Sequence, residues 1–519
     1  MGLAVGPTRL TRSGNFCVCG SSTCSKFEWR RADSTIMIAG RKRWSMLLQD
    51  SARVEHVIAD LRPQAPCRPP QRSVRSLSER MSELCTPGIS VAVIDNFEVA
   101  WASGFGIRKM GDRAVVQPDT PFQAASISKP VFALAVMRLC QDKRIDLDAD
   151  IRTYLKSWQV PESDDGWIPR INLRQLLSHT AGTTVHGFPG YPAGGSLPSI
   201  VQILDGAPPA NTSPIFVDLI PGMQFRYSGG GTTIAQLAVT DVVGLPFPDL
   251  MRELALAPLG MENSGFEQPP PPILADRAAV GHPVSGVPIP DGWHVYPEMG
   301  AAGLWTTAGD LARLGAALMR GLRGELMGLG LSRESLAAML RPQLPDETKG
   351  GEFVGLGWFC KGEGDAFRFG HGGWNHGFLA DLRLYPATGQ GAAVMINSNQ
   401  GWSLLEELFH SIEREYGWPT ASQAMGETST APGLDAFDGT YRDSASRVFR
   451  IEKTGEKLLL WVGDQDPIRL TSSSRGVLSA QTPQIQVRVV STSEAPPAIT
   501  LTQGGRTFQA VKLAEEVHR

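Results

Sequence analysis

The chain has 519 residues, with 49 Lys and Arg set against 52 Asp and Glu for a formal net charge of −3. That length is too great for one ordinary core, so two or three domains are expected. The interspersed acids and bases give no electrostatic case for nucleic acid or an anionic membrane as partner, and no apolar run reaches the roughly 20 residues of a transmembrane segment.

Residues 1 to about 50 show no sustained period and many Arg, Ser, Thr and Gly residues, and are expected to be a disordered extension. Met37 and Met46 are alternative starts. In "STIMIAGRKRWSMLL" the bases follow the apolar piece, the wrong order for a secretory signal. Cys17, Cys19 and Cys24 cluster without a fourth Cys or His close by, so no zinc site is expected. The other cysteines, Cys67, Cys85, Cys140 and Cys360, are scattered, and a disulfide framework is not expected. A reducing compartment is then the default and the expected location is cytoplasmic, with the periplasm as the alternative if the true start differs.

From Ala52, "ARVEHVIADL" has helical spacing, which the prolines of "CRPPQRSVRS" interrupt. In "GISVAVIDNFEVAWASGFG" two β-rich runs flank Asp95-Asn96 and predict a hairpin. "FQAASISKPVFALAVMRL" leads into a helix from Ser126 to about Gln141, and "RIDLDADIRTYL" reads as a turn and a short helix. "NLRQLLSHTAGTTVHGFPGYPAGG" begins helical and ends in a Gly/Pro-rich loop, while "YSGGGTTIAQLAVTDVVG" passes from glycines into a helix. "QPPPP", residues 268 to 272, is an extended connection. Thr307, three before Asp310, starts the helix "TTAGDLARLGAALMRGL". "GFLADLRLYP" and "GAAVMINSN" are strands joined by "PATGQG", and "SLLEELFHSIEREYGW" is an amphipathic helix.

The order predicts an α/β fold: one antiparallel sheet assembled from both ends of a domain over residues 52–418, flanked by helices, with a helical subdomain inserted. Residues 419–433 have the composition of a linker. The runs "RVFRIEK", "KLLLWVG", "QIQVRVV" and "AITLTQ" then predict a small all-β C-terminal domain over residues 434–515.

If the helix begins near Ser126, Ser126 and Lys129 share one face a turn apart. Burial and a helix N-terminus both disfavour an ammonium, so Lys129 could accept the Ser126 proton. The same helix end offers backbone N–H groups to an oxyanion. The bland alternative is a serine that starts a helix and a lysine that solvates it. Ser128 is expected to pack beside Lys129 without acting as a second nucleophile. Gly229 to Gly231 read as a close backbone approach, since no phosphate-loop context follows. His179 and His186 read as loop-ordering groups, and no metal quartet is present.

"FQAASISKPVFALAVMRL", "LRQLLSHTAG", "FRYSGGGTTIAQLAV", "LAPLGMENSGF", "GAAGLWTTAGDLARL" and "FGHGGWNHGFLADLRLYPATGQGAAVMINSN" occur in that order. Together they resemble the penicillin-recognising serine hydrolases: class C β-lactamases, D-alanyl-D-alanine carboxypeptidases, D-aminopeptidases and β-lactamase-like carboxylesterases. The resemblance covers roughly residues 52 to 418. It implies a β-lactamase/transpeptidase-like fold, Ser126 as nucleophile, Lys129 as its base and Tyr227 as a proton shuttle working as phenolate or hydroxyl. His371-Gly372-Gly373 matches the family's third element, on an edge strand facing the nucleophile. The N–H of Trp374 would complete the oxyanion hole with that of Ser126.

Two positions depart from the family. Gly229 stands where an asparagine is usual and has no amide to hold a substrate carbonyl. His371 stands where β-lactamases carry lysine, and histidine-bearing relatives resemble the peptidase branch. Trp374, Asn375 and His376 line a pocket or cover the sheet edge; both readings stay open. The expectation is a serine hydrolase cleaving an amide in small or linear peptides through an acyl-enzyme, with no cofactor. Appended β-domains recur on peptidase relatives, where they limit substrate size. The alternatives are a carboxylesterase with weak β-lactam turnover and a catalytically silent binding protein. The oligomeric state cannot be read.

Overall fold

The computed structural model describes residues 44–62, then 74–419 apart from 163–167, 223, 326–327, 329 and 345–351, and then 437–513 apart from seven short strand connections. The Cys17–Cys24 cluster, Cys67 and nearly all of the expected linker lie outside the described residues. Helix α1 (Trp44–Ala59) starts eight residues before the Ala52 read from periodicity. Helix α2 (Leu77–Glu83) begins at a reciprocal cap: Ser76 Oγ accepts the Glu79 N–H, and the Glu79 carboxylate accepts the Ser76 N–H at 2.7 Å.

The predicted hairpin joins β1 (Gly88–Asp95) to β2 (Glu98–Gly106) through Asn96 and Phe97, both at positive φ. A two-residue loop of that kind matches the twist of paired strands. Asparagine tolerates the conformation; Phe97 is held in it by a bond from its N–H to the Gly389 carbonyl and by Arg323 over its ring at 4.3 Å. Next come β3 (Phe122–Ala125), α3 (Ser128–Gln141), α4 (Gly229–Val243), the one-turn α5 (Met299–Ala302), β4 (Leu304–Thr306) and α6 (Ala308–Leu322). The chain then forms β5 (Glu352–Val354), β6 (Phe359–Lys361), β7 (Arg368–Asn375), β8 (Phe378–Tyr385), β9 (Gln390–Ile396) and α7 (Trp402–Tyr416).

Seven strands make one antiparallel sheet in the order β2-β1-β9-β8-β7-β6-β5. The first hairpin therefore docks on the last strand, with Ile89 opposite Ile396. On one face α7 packs Leu404, Leu405, Leu408, Phe409 and Ile412 against the sheet and against α1. Their three-and-four spacing is the amphipathic stripe seen in the sequence. On the other face lies α6, capped by Thr307 as expected. It approaches closely because Gly315 has no side chain; a Cβ there would stand 2.4 Å from Leu384 Cδ2.

Beyond residue 437, eight antiparallel strands from Gly439–Asp443 to Arg506–Lys512 close into a barrel, the first pairing with the last. Inward residues alternate along the strands, as in Phe449 and Ile451, Leu458 and Leu460, Ile499 and Leu501. The four strands read from sequence are present within a residue or two of their expected bounds.

Two buried polar groups set stability tests. Arg80 of α2 grips Glu407 of α7 with two bonds of 2.7 Å, and Glu407 is 3% exposed. Arg80→Ala strands that carboxylate, so a loss of about 3–5 kcal/mol is expected in denaturant unfolding; a loss near zero refutes the pairing as a strut. Glu298, which begins α5, is fully buried, and neither carboxyl oxygen meets a donor from another described residue. Burial pushes its carboxyl up to about 8 from 4.5. The unfolded chain ionises first, so stability falls as pH rises from about 4.5 to 8. Glu298→Gln should match the parent Tm at pH 5 and exceed it above pH 8. A pH-independent difference would show that the carboxyl is not held neutral.

Candidate functional site

The sequence puts Ser126 at a helix start; the structure puts it in the turn before one. Strand β3 ends at Ala125, whose φ of 51° is a left-handed conformation that costs a residue with a Cβ. Ser126 and Ile127 form the turn, and α3 begins at Ser128. The Ile127 N–H bonds the Ala124 carbonyl and the Lys129 N–H bonds the Ser126 carbonyl, so the turn keeps Ser126 and Lys129 a single turn apart. Ser128 is buried; its Oγ donates to Ala125 O at 2.5 Å and accepts the Leu304 N–H at 2.9 Å. It pins the turn to β4 and has no free hydroxyl.

Lys129 is 4% exposed, and its Nζ lies 3.0 Å from Ser126 Oγ and 2.8 Å from Ala301 O. Burial pushes the amine down to about 7. The acceptor Ala301 belongs to α5, which Gln236 of α4 secures from both sides. Its Oε1 accepts the Gly300 N–H at 2.7 Å and its Nε2 donates to Pro297 O at 3.3 Å. Sequence reasoning missed Ala301, because a backbone carbonyl carries no residue-type signal. Ser126 is half-buried, and its N–H donates to no group among the described residues.

Tyr227 precedes α4, whose cap Ser228 accepts the Gly231 N–H at 3.0 Å. The Tyr227 hydroxyl lies near the Ser126 side chain, and Lys129 Nζ stands 4.9 Å from the centre of its ring. Burial raises the phenol above its ordinary value, the nearby Ser126 side chain opposing it, so the group is a neutral hydroxyl. Its ring is packed by His179 at 4.3 Å, His186 at 4.9 Å, and Phe359 and His371 at 6.1 Å. His179 Nδ1 also accepts the Ser228 N–H at 3.2 Å. These two histidines order the loop as expected, and they also wall in the phenol. Phe359 was not foreseen: it reads as an ordinary strand residue.

The glycines of α4 let the loop at residues 183–188 lie directly on the helix start. The Gly229 and Gly230 N–H groups donate to His186 O and Val185 O, both at 3.0 Å. A Cβ would meet Phe188 Cε2 at 2.9 Å at position 229, Thr184 O at 2.7 Å at 230 and Thr183 Oγ1 at 2.6 Å at 231. The run is a close backbone approach, with its amides already used.

Strand β7 carries the third element, and it is not a simple edge strand as expected. Its first three residues pair with β6; only His371 to Asn375 run past β6 and leave that side open. There Gly373 abuts β3, where a Cβ would stand 2.2 Å from Ala124 O. His371 is 5% exposed; its Nδ1 lies 2.6 Å from Gly372 O, which can only accept, so Nδ1 carries the proton. Nε2 is then a bare acceptor and has no hydrogen-bond partner among the described residues. Burial, helped by Lys129, pushes the ring down to about 3, so it is no cation. Asn375 covers structure: its amide bonds Gln123 Oε1 and Ala302 O. Trp374 is 70% exposed, and the exposed His376 stacks on His294 at 4.5 Å. Among the described residues, no group of three His, Cys, Asp or Glu is arranged to hold a metal.

Known proteins match this chain. The Beta-lactamase family matches residues 74–412. Penicillin-binding protein 4 of Amycolatopsis lactamdurans is 25% identical, over 68% of this chain and 93% of its own. Esterase EstB of Burkholderia gladioli is 27% identical, over 48% of this chain and 68% of its own. Among solved structures, the octameric penicillin-binding protein homologue from Pyrococcus abyssi shares the fold with a TM-score of 0.54 at 20% identity, covering 84% of this chain and 98% of that one. SurE does so with a TM-score of 0.55 at 23% identity, covering 84% and 97%. A match across well over half of the chain, carried on this sheet and this helical layer, makes the protein a member of the beta-lactamase family of serine hydrolases.

Proposed function

We propose that the chain hydrolyses an amide bond in small or linear peptides through an acyl-enzyme on Ser126. A neutral Lys129 has one lone pair and two N–H bonds. The Ala301 carbonyl takes an N–H, which turns the lone pair toward Ser126 Oγ. Ser126 then gives its proton to Lys129 as Oγ bonds the carbonyl carbon. Tyr227, whose hydroxyl lies near the same side chain, relays that proton to the departing nitrogen as the C–N bond breaks. The Ser126 N–H, with that of Trp374, would hold the oxyanion. Water adds to the acyl-enzyme by the reverse proton path and frees the acid.

The observation that carries this reading is the 3.0 Å contact between Ser126 Oγ and an amine that burial holds near neutrality. A pre-formed contact of this kind argues against a silent binding protein. One observation favours the carboxylesterase reading as the second choice. With His371 neutral and Gly229 lacking a side-chain amide, no described residue of this shell offers a cation or amide to anchor a substrate carboxylate.

Ser126→Ala and Lys129→Ala should each lower kcat on an activated ester or peptide anilide by roughly 10³-fold or more, with folding retained. Near-parent turnover in either variant refutes the mechanism. Because the ammonium cannot accept a proton, kcat/KM should fall as pH drops through about 7 and reach a plateau above it. An acid limb centred near 4 or 5 would point to a carboxylate base. Turnover of a p-nitrophenyl ester, a peptide p-nitroanilide panel and a chromogenic cephalosporin ranks the three chemistries; ester turnover without anilide turnover would select the second reading.

A further inference from the structure

We propose that Phe188 is a specificity-determining residue: its ring closes the cleft wall beside Tyr227 and limits the substrate to a compact, uncharged group there. The inference rests on the hydrolase reading above. Position 229, two residues after Tyr227, is a glycine, and the space its side chain would enter is filled by the Phe188 ring, with Cε2 at 2.9 Å and Cδ2 at 3.3 Å from an ideal Cβ. The wall is therefore aromatic carbon where a polar side chain could have stood.

The polar groups around the ring are already engaged. The Gly229 and Gly230 amides are bonded to His186 O and Val185 O, so they cannot serve a substrate carbonyl or anion. His186, on the same loop, lies against Tyr227 at 4.9 Å, which sets this wall next to the proposed proton path. His371, whose ring lies 6.1 Å from that of Tyr227, has an acceptor nitrogen in place of a cation. A substrate carboxylate would lose water here without gaining a donor.

The ring is also fixed in place. Pro189 O accepts from His294 Nδ1 at 2.9 Å, and Gly190 O accepts from Asn211 Nδ2 at 2.9 Å. Gly190, at a φ of 71°, sits against the Tyr296 ring, where a Cβ would be 2.5 Å from Cζ. With the carbonyls of Val185 and His186 bonded before residue 188 and those of Pro189 and Gly190 after it, the backbone that carries the ring is held as a wall that selects by shape.

The test compares the parent, Phe188→Ala and Phe188→Leu on two ester series. One lengthens the acyl group of p-nitrophenyl esters from acetyl to octanoyl. The other keeps acetyl and enlarges the leaving group from phenyl to naphthyl and biphenyl. The parent should favour the compact member of one series. Phe188→Ala should raise the bulky-to-compact ratio of kcat/KM in that series by roughly tenfold or more, with Phe188→Leu between the two. The series that moves identifies the side of the scissile bond that the ring faces. A folded Phe188→Ala whose ratio is unchanged in both series overturns the proposal, as does a parent that prefers a p-nitrophenyl hemisuccinate to its neutral isostere. Ser126→Ala, run alongside, separates the two failures. If it hydrolyses the acetyl ester at the parent rate, the hydrolase reading fails; Ser126-dependent turnover with an unmoved ratio removes only the role of Phe188.

Discussion

A lysine amine kept away from water is the constraint on which the site depends. Nothing acidic offsets the dehydration of Lys129, and the amine loses its charge preference because burial alone pushes it down. Buried lysines are tolerated when their remaining polarity is met, and here two oxygens meet it: a serine hydroxyl and a backbone carbonyl. The surrounding architecture follows. α5 exists as a single turn to present Ala301, Gln236 holds that turn, and the ring of Tyr227 covers the amine from the third side. Every histidine packed on that phenol is held neutral by its own burial, with Lys129 adding to the effect. The cleft therefore contains one titrating amine and little other charge.

Small residues decide how closely the pieces meet. Gly373 lets β7 touch β3, and Gly229 to Gly231 let a loop rest on α4. In each place a single methyl would have to displace backbone or a neighbouring side chain, so close packing and the placement of the site residues are the same requirement. The left-handed Ala125 belongs to this set: the chain has to leave β3 abruptly for Ser126 to face Lys129 instead of continuing along the strand.

Much of this was legible in the residues. The β1-β2 hairpin, its turn one residue later than the expected Asp95-Asn96, the stripe of α7 and the alternating barrel strands follow from local pattern, because each is set by neighbours close in sequence. Ser126, Lys129 and Tyr227 stood out through their motifs, and the structure brings them into contact. Other features were hidden for physical reasons. β3 is four residues long and ends in a conformation that alanine does not advertise. The helix start moved from Ser126 to Ser128 for that same reason. Ala301 acts through its main chain from 172 positions away, and Phe188 matters only because Gly229 is empty beside it. The partial cover of β7 by β6 depends on strand lengths that composition does not specify.

The hairpin β1-β2 is made early in the chain, yet its partner β9 ends at Ile396. During synthesis on the ribosome the first two strands therefore wait, one flank unsatisfied, while some three hundred further residues emerge. The turn that carries Ser126 waits with them, because Gly373, which the end of β3 packs against, is translated late. A nascent chain therefore carries the paired Ser126 and Lys129 through most of its synthesis before the sheet behind them is complete.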